Sequence, residues 1–84
     1  MKRKVVWEYQ EKGEMIEYDK ETSYKIEQAF EKGETSIRSQ LKDFHSGKTH
    51  DVQIDMTAMT ESEINNPFAG VRRIRRNLHI QQGF

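Results

Sequence analysis

Eighty-four residues, 33% of them apolar and 33% charged, suffice for one small domain with a thin core, read here as a single unit over 1–84. Fourteen basic side chains balance fourteen acidic ones, so neither charge-driven disorder nor nucleic-acid binding, generic or sequence-specific, is favoured. The absence of cysteine excludes disulfides and thiolate metal sites and fits an intracellular protein of nucleus or cytoplasm, while no apolar run approaches the ~20 residues of a membrane span.

The basic start, Met1-Lys2-Arg3-Lys4, is followed by no hydrophobic signal core. Lys4 to Tyr9 alternates as a strand, with Val5, Trp7 and Tyr9 on one side and Val6 and Glu8 on the other. Glu11-Lys12-Gly13-Glu14 supplies a tight turn, and Met15 to Tyr18 returns to complete a hairpin. Asp19 then caps a helix over about residues 20–32, its carboxylate accepting from the N–H of Glu21 or Thr22. Ile26, Ala29 and Phe30, with Thr22 or Ser23 one turn back, form the buried stripe, and Gly33 ends the helix. Thr35 to Leu41 and Thr49 to Asp55 read as strands around a turn over 42–48, anchored by Ile37 and Leu41 and by Val52 and Ile54. Met56 to Thr60 fits either a short strand or a turn that carries Met59 inward, and Glu61 to Ala69 reads as a polar loop closed by Gly70. Val71 to Leu78 is the last strand, and residues 79–84 form a fraying tail.

One helix cannot cover both faces of five or six antiparallel strands. A curved half-barrel of strands wrapped around the helix, an α+β fold, is the economical arrangement, leaving the other sheet face for a ligand.

No nucleophile and base pair is legible, no glycine-rich phosphate loop is present, and the sequence points to a non-catalytic module needing no cofactor. His45 and His50 flank a turn without a third metal ligand. The Arg72-Arg73-Ile74-Arg75-Arg76 run has three readings: a solvated strand, a basic localisation or RNA-binding patch, or a set of guanidinium forks for phosphate oxygens and purine faces. In so apolar-poor a chain Trp7 belongs to the core, whereas Tyr9 lies nearer the rim.

These segments in this order resemble the WWE domain. The likeness rests on Trp7-Glu8-Tyr9, on Tyr18-Asp19, on Ser23 to Gly33, on Ile54 to Thr60 with its Asp55 and Met59, and on Gly70 with Val71 to Arg76. It implies a half-barrel around one helix and recognition of ADP-ribose units, either iso-ADP-ribose within poly(ADP-ribose) or a terminal ADP-ribose on modified proteins. Such domains occur in ubiquitin ligases and ADP-ribosyltransferases. The resemblance gives Trp7 and Glu27 structural roles. It places Tyr9 against the ligand and Arg72 at the phosphates, in a pocket lined also by Glu61 and flanked by Arg73 and Arg75.

Three positions depart from the family pattern. Ile16 stands where the family has its second tryptophan, Val52 where a tyrosine is common, and Glu61 where a glutamine hydrogen-bonds the ligand. An ionised glutamate only accepts, whereas glutamine both donates and accepts. The alternative is therefore a protein-interaction module of the same fold whose pocket no longer binds ADP-ribose.

Overall fold

The computed structural model describes residues 2–42, 46–66 and 68–81. Six strands and one helix follow in the order β1 (Lys2–Glu11), β2 (Glu14–Glu17), α1 (Lys20–Glu31), β3 (Ser36–Lys42), β4 (Thr49–Asp55), β5 (Thr60–Glu63) and β6 (Val71–Gln81). All strand pairs are antiparallel and form one sheet in the order β2-β1-β6-β5-β4-β3. The edges β2 and β3 are consecutive in the chain, and α1 connects them along the concave side, packed on β1 and β3. This is the expected α+β half-barrel.

Local chemistry explains each element. In the first hairpin Lys12 and Gly13 both have positive φ, 50° and 83°, as a two-residue type I′ turn requires. Asp19 caps α1 by accepting from the Thr22 N–H at 3.2 Å. At the other end Gly33 N–H donates to Phe30 O and Glu34 N–H to Ala29 O, a Schellman closure that φ +79° at Gly33 permits.

Trp7, Ile26, Val52 and Ile54 are fully sealed and form the centre of the core, with Tyr18, Ala29, Met56 and Ile74 around them. Because β2 pairs only with residues 8–11 of β1, the backbone of Trp7 lacks a strand partner on that side. Ser23 of α1 and the start of the helical connection replace it: Trp7 N–H donates to Ser23 Oγ at 3.0 Å, and Trp7 O accepts from Tyr18 N–H at 2.9 Å. A polar residue on the buried helix face is thus what satisfies a buried strand group.

Four expectations are corrected. Phe30 is 42% exposed: Trp7 fills the interior, and the Phe30 ring meets it edge-on at 5.5 Å from outside. Met56 to Met59 form a turn, held by Asp55 Oδ1, which accepts from the N–H groups of Thr57 and Ala58 at 2.9 Å. In that turn Met56 is buried and Met59, at φ 58°, only packs against the core edge. Glu61 to Glu63, expected in a loop, join Thr60 in strand β5, which pairs with β4 and β6. His79, Ile80 and Gln81, expected to fray, continue β6 and pair with Lys4, Arg3 and Lys2. Residues 82–84, His45 and Pro67 lie outside the described residues.

Candidate functional site

Along β6 the alternation of the pleat divides the arginine run. Arg72 and Arg76 share the face of buried Ile74, toward the helix, while Arg73 and Arg75 take the opposite face. Arg75 there binds Glu8, its cross-strand partner, with Nη2 2.8 Å from Oε1. Arg76 reaches α1: its Nε and Nη2 donate to Glu27 at 2.9 and 2.7 Å, and Trp7 Nε1 donates to the same carboxylate at 3.0 Å. Arg76 also lies 5.1 Å over the Phe30 ring. This cluster fastens helix to sheet.

Arg72 belongs to a second cluster. Glu61 of β5 is its direct neighbour in the ladder and is 1% exposed. Burying a carboxylate costs several kcal/mol unless its oxygens are satisfied and its charge is balanced. Both conditions are met. Glu61 Oε1 accepts from the Tyr18 hydroxyl at 2.5 Å, and Oε2 accepts from Arg72 Nε at 2.9 Å and from Arg72 Nη2. The guanidinium carbon sits 4.4 Å from the centre of the Tyr9 ring, whose neighbour is Tyr18 at 4.9 Å.

The electrostatics follow from this packing. Burial and the adjacent Glu61 carboxylate push the Tyr18 hydroxyl far above its ordinary value, so it remains protonated and donates. Burial works against the charge on Arg72, but Glu61 outweighs it and holds the guanidinium more firmly protonated. The cluster therefore holds a fixed guanidinium, paired with carboxylates, against aromatic faces.

Tyr9 and Tyr18 open onto a hollow of about 520 Å³ at one end of the half-barrel, bordered also by Glu17, Asp19, Leu41, Lys42 and Gly47. It lies on the helix side, so the site sits in the concave mouth and not on the outer sheet face. Glu61 is closed off behind Tyr18 and Arg72. Arg72 itself borders a more open recess of about 420 Å³ against the hairpin residues Gln10 to Gly13, where its Nη1 is 3.6 Å from Glu11.

Of the residues singled out in the sequence, the fold brings Tyr9, Glu61 and Arg72 together. Ile16 faces Tyr9 across the hairpin and borders neither hollow. Val52 is sealed in the core, and Arg75 lies on the far face. Arg73 borders the open recess while its strand position faces away from the helix. Tyr18, Leu41 and Lys42 also border the hollow, and the sequence motifs do not mark them as site residues. Only the position of Tyr18 between a strand and a helix cap could have marked it, since it must turn inward there. Among the described residues no group of three or more His, Cys, Asp or Glu could hold a metal ion.

Comparison with curated proteins gives no match. The family model for the WWE domain matches residues 5–76, from Val5 on β1 through Arg76 on β6, which takes in β2 to β5 and the helix whole, parts of β1 and β6, and both carboxylate clusters. The chain belongs to the WWE domain family, a family of non-catalytic interaction modules.

Proposed function

We propose that this protein is a non-catalytic module that recognises an ADP-ribose-type ligand, as iso-ADP-ribose within poly(ADP-ribose) or as a terminal ADP-ribose, in an intracellular ubiquitin-ligase or ADP-ribosylation setting. The observation that carries the reading is the Arg72 guanidinium, 4.4 Å over the ring of Tyr9, which itself borders a hollow of about 520 Å³. That volume falls within the ~300–1,000 Å³ of small-molecule sites. A purine stacked on a tyrosine face gains roughly 1–3 kcal/mol. Neither Met15 nor Ile16 borders the hollow, so the hairpin leaves it open.

Calorimetric titration with iso-ADP-ribose, ADP-ribose and ATP tests this. The ADP-ribose ligands should bind, and Tyr9→Ala should weaken them by about tenfold, the equivalent of one stacked base. No heat from any ligand at millimolar concentration sinks the reading.

One observation favours protein recognition instead. Phe68 is 96% exposed and Val71 67% exposed, an apolar pair at the end of the loop between β5 and β6. If this pair is the functional surface, Phe68→Ala abolishes partner binding while Tyr9→Ala leaves it intact.

A further inference from the structure

The ion pair behind the two tyrosines limits the charge that Arg72 can offer a ligand at Tyr9. Arg72 is the cation against Tyr9, yet two of its three nitrogens, Nε and Nη2, are turned inward onto Glu61. The third, Nη1, is 3.6 Å from Glu11. A guanidinium held between two carboxylates presents little net positive charge to anything lying on the tyrosine. Glu61 cannot relax away from it, being 1% exposed and bound on its other oxygen by the Tyr18 hydroxyl.

Resting on the ADP-ribose reading, we infer that Glu61 is a positioning residue that sets ligand charge preference. It fixes the Arg72 plane over Tyr9 and cancels its charge, so the hollow takes its ligand by base and ribose, and phosphate groups add little. Removing one unit charge about 6 Å from a ligand charge changes affinity roughly threefold to a hundredfold, depending on how far water screens the pair. Glu61→Gln removes that charge in the same volume, and its amide oxygen can still accept from Tyr18 or Arg72.

The full chain and E61Q are titrated with adenosine, AMP and ADP-ribose at one ionic strength. The unaltered protein should bind all three within roughly threefold of one another. E61Q should strengthen ADP-ribose by at least threefold, roughly the lower bound above, and raise its preference over adenosine by as much. That gain should vanish when R72Q is added, because the effect acts through Arg72. A merely structural role would weaken all three ligands together. ADP-ribose held roughly tenfold or more above adenosine by the unaltered protein overturns the inference, whether or not E61Q folds. So does ADP-ribose binding that E61Q leaves unchanged or weaker, or a gain that survives R72Q. Each of those results keeps the ligand class standing, whereas silence of both proteins toward all three probes removes the ligand class and the inference together.

Discussion

Glu27 shows at the residue scale how this small fold spends its charges. One carboxylate takes the Trp7 indole N–H and two N–H groups of Arg76, so a single side chain ties the helix, the first strand and the last. A charge-assisted hydrogen bond of this kind is worth about 1.5–3 kcal/mol. Glu27→Gln keeps the shape and one acceptor but loses the charge. It should destabilise the domain by about 1.5–3 kcal/mol, lowering Tm by roughly 6–24 °C for a chain this short. Thermal unfolding followed by circular dichroism measures this, and an unchanged Tm refutes the assignment. Trp7→Ala should be more severe, on the order of 3–5 kcal/mol, because it opens a cavity under a fully sealed ring as well as freeing Glu27. A small domain has roughly 5–15 kcal/mol in total, so that variant should lose between about a fifth and all of the stability.

Elements obey the same local rules, and the helix end isolates one of them. Gly33 has φ +79°, and a Cβ built there would meet nothing within 4 Å. The cost of Gly33→Ala is therefore backbone strain alone, about 1–2 kcal/mol, and Gly33→Asn should cost less because asparagine tolerates the left-handed region. Urea unfolding of both variants checks the order; equal midpoints contradict it. This end was legible in the sequence, as were the Asp19 cap, the Lys12-Gly13 hairpin and the alternation of β4 and β6, because each depends on residues adjacent in the chain. What escaped notice depends on distant partners. Strand β5 reads Thr60-Glu61-Ser62-Glu63, with no apolar residue to mark its inner face; it is strand because Ile54 and Arg72 flank Glu61 on both sides. Phe30 has the right helical spacing for burial, but whether it goes inside is decided by Trp7, twenty-three positions earlier, which already occupies that space. For the candidate site the same division holds: Tyr9 and Arg72 could be named from their strands, while the Tyr18–Glu61–Arg72 contact requires β5 to exist.

For the whole molecule, a thin core without disulfides leaves much of the cohesion to carboxylates, and this makes acid the informative perturbation. Glu27 is held below its ordinary value of 4.5, first by the hydrogen bonds from Arg76 and then, against some burial, by that from Trp7. Asp19 is held below its ordinary 3.8, because the Thr22 N–H and the helix start outweigh its slight burial. A carboxylate whose folded pKa is depressed contributes its stabilisation in full above its unfolded pKa and loses it as pH falls toward the folded one. The urea midpoint should therefore be flat from pH 7 to about 5 and decline below about 4.5, as the unfolded chain takes up protons that folded Glu27 and Asp19 refuse. Two variants assign the decline. Glu27→Gln removes one titrating group together with its contribution, so the curve should start lower and fall less steeply. Asp19→Asn keeps a side-chain cap while removing the proton site, so it should change the midpoint at pH 7 little and shallow the slope mainly below about pH 4. If both variants retain the full acid slope of the parent, the carboxylates that govern acid unfolding lie elsewhere, and the helix anchors named here do not control it.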